Sequence, residues 1–409
     1  MNLSGILESL EFIEAYGELL DQLRGGERVP PLGLSRGAQH ALLAKLALTC
    51  DRPILLLTGR VDAVPIWQQG MESWLPEQCE LLRFPEPTPL PYDRGPWSES
   101  SRLGRLRVLT RLMAGQHPLL PNRSEPLLIL ASARSALHKT LPRQRFLTSM
   151  RVLKVGGLLD LDDIQNEWRE IGYEQVSVVE APGQFSQRGG IVDLYPAASP
   201  YPVRIELFGD EIDTMRYFDP ATQRSADIKD NVVQQLLVPP AREALPGRLM
   251  ALGSYLEAVA EPKSDDLPSW QDDIPALLAG TLSPHLEFYL PLVYSRPASL
   301  LDYLPEDALI VVDDLPALRS ALAELHEHAA QIAADQPSLP PDYPDPVFDW
   351  DYLEEELNLR QLLILGEGAE GENPPAPPPL ADAFQPGPRY GGQVRPFLLQ
   401  LQSAQREHE

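Results

Sequence analysis

Few residues in this chain are placed to do chemistry. A working phosphate loop reads Gly-x-x-x-x-Gly-Lys-Ser/Thr. Its glycines let backbone N–H groups wrap the phosphates, its lysine neutralises them and its hydroxyl holds the magnesium ion. The stretch Gly33-Leu-Ser-Arg-Gly-Ala-Gln-His40 starts like such a loop and ends unlike one. Ala38 stands at the second glycine, Gln39 at the lysine and His40 at the hydroxyl, and Arg36 and Gly37 inside the loop do not restore it. ATP hydrolysis is therefore not expected here, although a helix N-terminus still attracts phosphate weakly. The companion pattern is Ile310-Val-Val-Asp-Asp314, an apolar strand ending in two acids. Such acids hold magnesium beside a phosphate loop, and they also close many ordinary strands. With glutamine at the lysine position, no catalytic role is expected for Asp313 or Asp314.

Other reactive types are sparse. Cys50 and Cys79 give no disulfide framework and read as small buried hydrophobes of a reducing compartment. His326 and His328 stand two apart on an expected helix and face apart, so no metal site is expected. The stretch Arg102–Met113 carries Arg102, Arg105, Arg107 and Arg111. These could touch DNA, or form a solvated face opposite Leu103, Leu106, Leu109 and Met113, and the acidic background favours the second. No cofactor is expected.

The strongest signal is for binding. Phe185-Ser-Gln-Arg-Gly-Gly-Ile-Val-Asp-Leu-Tyr-Pro196 and Pro202-Val-Arg-Ile-Glu-Leu-Phe-Gly-Asp-Glu-Ile-Asp213 read as strands with a tight hairpin. Side chains alternate along a strand, so Val203, Ile205 and Leu207 point to a core while Arg204, Glu206 and Phe208 point away. Gly209-Asp210 fits a two-residue turn with glycine first. Arg188 precedes a double glycine that lets the backbone turn and expose the guanidinium. Arginine beside an aromatic ring on a wet face makes a binding hot spot. The pattern alone also permits a plainer arrangement, with Phe208 tucked under a helix and Arg204 paired with a nearby acid.

These residues need a scaffold, and the chain has room for two to four domains in its 409 residues. Residues 30 to about 143 alternate helix and buried strand, as at Ile54–Thr58, Ala63–Trp74 and Leu127–Leu130, which predicts a parallel α/β sheet. Residues 144–239 read as α+β, with a helix from Leu161 capped near Asp160 and then several short strands. Residues 240–345 return to α/β character, through the strand before Asp313 and a helix Leu318–Ile332. The simplest topology is one α/β domain in two pieces, 1–143 and 240–345, with the α+β domain inserted between them. Residues 1 to about 28 should form a leading helix. From 346 to 409 the chain should loosen into a proline- and acid-rich linker, with Pro374–Pro379 at its centre and the start of a truncated following domain at Tyr390–Gln405.

The formal net charge of −25 argues against a nucleic-acid backbone as the main partner and suits docking on a basic protein surface. The first residues are acidic where a secretion signal would be basic, and no apolar run is long enough to span a bilayer, so a cytoplasmic location and no membrane partner are expected. The 43 prolines are read as stiffening loops.

The segments Gln187–Pro196, Arg204–Asp213 and Phe218-Asp-Pro-Ala-Thr-Gln-Arg-Ser225 resemble the UvrB-homology module of bacterial transcription-repair coupling factors (Mfd). The resemblance covers about residues 30–345 and is densest over 150–245. It implies a degenerate P-loop (RecA-like) sheet domain in two pieces with an inserted UvrA-interaction domain. It also implies a non-catalytic docking function: Arg188, Arg204 and Phe208 would contact UvrA and recruit nucleotide excision repair to stalled RNA polymerase. Polymerase and DNA would be engaged through other parts of such a protein, which is an ATP-dependent translocase in full. UvrB itself carries a long aromatic hairpin that clamps DNA. The comparable region here, Pro89–Ser101, is short and holds only Tyr92 and Trp97, and the Walker B-like strand ends in Asp-Asp where UvrB has Asp-Glu. A divergent UvrB-like protein that handles damaged DNA, or a stand-alone UvrA-binding regulator, are the alternatives. The chain is expected to be a fragment or a truncated paralogue.

Overall fold

The computed structural model describes residues 3–120, 125–260, 270–335, 339–366 and 379–384, with positions 395, 398 and 399 beyond them. Twelve strands organise these residues. They are β1 (Ile54–Thr58), β2 (Glu80–Phe84), β3 (Leu127–Ser132), β4 (Arg151–Lys154), β5 (Glu174–Gln175), β6 (Gln184–Arg188), β7 (Ile191–Leu194), β8 (Val203–Phe208), β9 (Glu211–Tyr217), β10 (Gln235–Val238), β11 (Leu309–Val312) and β12 (Gln361–Ile364).

A five-stranded sheet of order β12-β11-β1-β3-β2 is parallel throughout. Strands β1, β3 and β11 are buried along their whole length, which explains their unbroken apolar runs: helices cover both faces. Alternate residues serve opposite cores. Ile54, Leu56, Leu128, Leu130, Leu309 and Val311 pack with the helices Arg36–Thr49 and Ala63–Trp74. Leu55, Leu57, Ile129, Ala131, Ile310 and Val312 pack with the helices Glu99–Ala114 and Leu315–Asp335. The sheet is thus built from two sequence pieces flanking an inserted β-rich region.

The inserted region is entered and left through the antiparallel pair β4 and β10, in register from Arg151↔Val238 to Lys154↔Gln235. Its own sheet runs β5-β6-β7-β8-β9. The inner face, with Phe185, Val192, Leu194, Val203, Ile205 and Met215, packs on Trp168 of the helix Leu161–Glu170. Asp160 caps that helix, accepting from the N–H groups of Asp162 and Asp163. This core is continuous with one face of the parallel sheet.

Two expectations need correction. From residue 346 to 366 the chain does not loosen: Trp350–Leu359 is a helix capped by Asp349, and β12 pairs in parallel with β11. The acid-rich composition there hides Leu353, Leu357 and Leu363, which carry the burial. The proline run up to residue 378 and most of the Tyr390–Gln405 segment lie outside the described residues. The leading helix is also two pieces, a 3-10 stretch Ser4–Phe12 and an α-helix Glu14–Arg24, broken by extended backbone at Ile13. With three residues per turn, the 3-10 stretch puts Leu7 and Leu10 on one buried side and turns Ile6 to solvent.

Candidate protein-docking surface

The outer face of the inserted sheet gathers the residues singled out by sequence. Directly opposed residues on neighbouring strands share a face. One row runs Arg188, Ile191, Glu206, Thr214 across β6 to β9, and the next runs Ser186, Asp193, Arg204, Arg216. Phe208 ends β8 opposite Glu211, and the loop between them is Gly209-Asp210, with Gly209 at φ +63°. A positive φ at the first loop position is what a type II′ turn needs and what glycine supplies without strain.

Phe208 is 84% exposed. An aromatic ring held in water on a paired strand contributes nothing to the core. Arg188 is also exposed, and its guanidinium donates to the Ser177 carbonyl at 2.5 Å. Arg204 is placed differently. Its Nε and Nη2 donate to the two Asp193 carboxylate oxygens at 2.7 and 2.8 Å, and its guanidinium lies 4.9 Å from the Phe218 ring centre. That fork-to-fork pair raises the Arg204 pKa further. The plainer arrangement therefore holds for Arg204 and does not hold for Phe208. The segment from Phe218 to Gln223 folds over the Arg204 end of the face, where Gln223 donates to the Val179 carbonyl. The Arg188–Phe208 end stays open.

Elsewhere, the Gly33–His40 stretch and Asp313 do meet. Gln39, His40, Trp67 and Asp313 line one small cavity of about 30 Å³, room for a few water molecules at most. The protein fills the rest itself. His40 stacks on Trp67 at 4.3 Å, and the Trp67 indole N–H donates to Asp313 at 3.4 Å. The Gly33 N–H donates to the Gly366 carbonyl and the Gly366 N–H to the Asp313 carbonyl, while the Gln39 amide donates to the Leu34 carbonyl. Burial pushes the Asp313 carboxyl up to about 6. Asp314 caps the following helix by accepting from the Ala317 N–H.

On the arginine-bearing helix Arg107 is exposed, but Arg105 and Arg111 fit neither reading made of it. Arg105 is fully buried: its Nε and Nη2 donate to Glu243 at 2.7 and 3.0 Å, and the guanidinium stacks 4.1 Å from Phe84 and 5.1 Å from Trp97. Arg111 pairs with Glu80. The charge pattern gave no sign that Glu243, far along the chain, would neutralise Arg105. Trp97 is itself buried, edge-on to His138, and Tyr92 packs near Tyr343, so neither ring is presented as a stacking platform. Burial pushes the Cys79 thiol up to about 11. Among the described residues no three His, Cys, Asp or Glu side chains converge on a metal-sized site, and no helix is long and apolar enough to cross a membrane.

Comparison with known proteins agrees with this partition. Residues 152–243 match the UvrB interaction domain. The transcription-repair-coupling factor of Bacillus subtilis is 29% identical over 308 residues, covering 73% of this chain and 25% of that protein. That of Myxococcus xanthus is 30% identical over 315 residues, with 73% and 25% covered. That of Staphylococcus aureus strain MRSA252 is 27% identical over 326 residues, with 77% and 26% covered. The chain spans about a quarter of the length of the curated relatives it matches. The β-rich insert is therefore a UvrB interaction domain, set in a region homologous to the N-terminal quarter of transcription-repair-coupling factors.

Proposed function

We propose that this chain is a non-catalytic docking module that binds UvrA through the outer face of its inserted sheet, bringing nucleotide excision repair to stalled RNA polymerase. The observation that carries the reading is Phe208, 84% exposed at a hairpin tip on the same face as Arg188. Phe208 fills an apolar pocket on the partner. Arg188, with donors to spare beyond its one carbonyl, meets a carboxylate there. Arg204 holds the shape of the face through Asp193 and offers only its remaining N–H groups. The domains follow the chain in the order body 1–143, UvrA-interaction insert 144–239 and body from 240, now extended through β12.

The body is a degenerate P-loop (RecA-like) domain. Gln39 and His40 in place of lysine and hydroxyl, the internal use of the Gly33 N–H and the stacked His40–Trp67 pair all support a site that holds no nucleotide. The buried Arg105 and Trp97, and Tyr92 packed beside Tyr343, speak against a protein that grips damaged DNA itself. A titration with purified UvrA tests the proposal. Wild-type affinity in the Arg188→Ala/Arg204→Ala/Phe208→Ala variant would rule the patch out.

A further inference from the structure

Leu158 is 82% exposed, yet its backbone is pinned. The Gly156 N–H donates to the Ile212 carbonyl, the Ile212 N–H to the Gly157 carbonyl and the Leu159 N–H to the Asp210 carbonyl, at 2.8, 2.8 and 2.7 Å. The glycines make this course possible. Gly156 sits at φ +80°, and a Cβ on Gly157 would meet the Lys154 carbonyl oxygen at 2.9 Å. The next residue, Leu159, is 4% exposed. The chain thus buries one leucine and holds its neighbour out in water, an arrangement that core packing does not require.

Leu158 bridges to Glu211, which pairs in turn with Phe208, so all three stand on one face with Leu158 and Phe208 two strands apart. That separation is roughly 10 Å. Ile191, 41% exposed, lies on the same face opposite Glu206, on the strand next to Phe208. The result is a band of three exposed apolar side chains across four adjacent backbones. Acids border it at Glu206, Asp210 and Glu211. Among the described residues neither Glu206 nor Glu211 forms a salt bridge; Glu206 accepts only from the Thr214 hydroxyl, at 3.3 Å.

We propose that the docking face extends from Arg188 and Phe208 to Ile191 and Leu158, and that it fits an apolar groove on the partner protein rimmed by basic side chains. The extension rests on the UvrA-docking reading and says what surface the partner must offer. Apolar area sets the depth of the groove. The unpaired carboxylates select a basic rim, because opposite potentials across an interface favour the right partner.

The test is binding of the full chain to purified UvrA, with Leu158→Ser, Ile191→Ser and Glu211→Lys beside Phe208→Ala, after thermal unfolding shows each variant as stable as wild type. Burying a leucine predicts that Leu158→Ser weakens binding about ten- to a hundredfold, and Ile191→Ser about fivefold or more. Glu211→Lys should weaken it too, and less so at high salt. If Phe208→Ala weakens binding while Leu158→Ser and Ile191→Ser stay within twofold, the extension is wrong and the docking reading survives. Unchanged or tighter binding by Glu211→Lys removes the basic rim. If wild type does not bind, or Phe208→Ala binds equally well, the docking reading falls and the extension with it.

Discussion

Replacing Arg105 by methionine should be among the most damaging single changes in this chain. Its guanidinium sits out of water with two charge-assisted hydrogen bonds to Glu243, a third bond to the Ser135 carbonyl at 3.2 Å, and two aromatic faces against it. Methionine fills much of the volume but leaves the Glu243 carboxylate with the Thr140 hydroxyl as its one remaining side-chain donor among the described residues. Losing one partner of a buried pair costs about 3–5 kcal/mol, against a total stability of about 5–15 kcal/mol. Urea unfolding followed by fluorescence and circular dichroism measures the loss. Arg105→Met/Glu243→Met should recover part of it, because no uncompensated charge is then buried. A loss below about 1 kcal/mol, or a double variant no more stable than the single one, would refute the reasoning.

Further outcomes separate shape from contact on the docking face. Phe208→Ala should leave unfolding within about 0.5 kcal/mol of wild type while costing on the order of 2 kcal/mol or more of UvrA affinity, read by calorimetry. Arg204→Ala should behave otherwise: stranding Asp193, it should lower stability by about 1–3 kcal/mol in a urea melt, whereas Arg188→Ala should not. Asp313, pushed up to about 6, binds a proton more tightly folded than unfolded, so its contribution improves as pH falls from about 6 to about 4. The stability difference between wild type and the non-titrating Asp313→Asn should accordingly move about 2–3 kcal/mol in favour of wild type between pH 7.5 and pH 4, and a flat difference would contradict the burial argument. His326, held protonated by Asp345 at 3.5 Å, has a raised pKa, so its contribution is full at low pH and lost as pH climbs through that raised value. His326→Gln should flatten that part of the stability profile.

Local pattern revealed much of this molecule. Unbroken apolar runs marked β1, β3 and β11, alternation in Val203–Phe208 sorted core from solvent, and Gly209-Asp210 announced the turn. What escaped notice depends on partners far along the chain. Arg105 reads as one of four surface arginines until Glu243 arrives beside it. Arg204 reads equally as a free contact or as half of an ion pair until β7 sets Asp193 opposite it. Leu158 follows two glycines and precedes a run rich in acids, and only the backbone bonds to the hairpin show that it faces out. Strand β12 was hidden because its helix carries as many acids as a linker would.

The strand order has a consequence for synthesis. β1 lies between β3 and β11, yet β11 is made long after it, on the far side of the whole insert. At about 5–20 residues per second, β1 emerges on the order of 10 to 50 s before its second neighbour. Through that interval one flank of the future sheet centre is an unpaired apolar strand, the kind of template that recruits other nascent chains. The insert closes on itself through β4 and β10 in the meantime. On the ribosome, then, the insert is finished first and the body that carries it last.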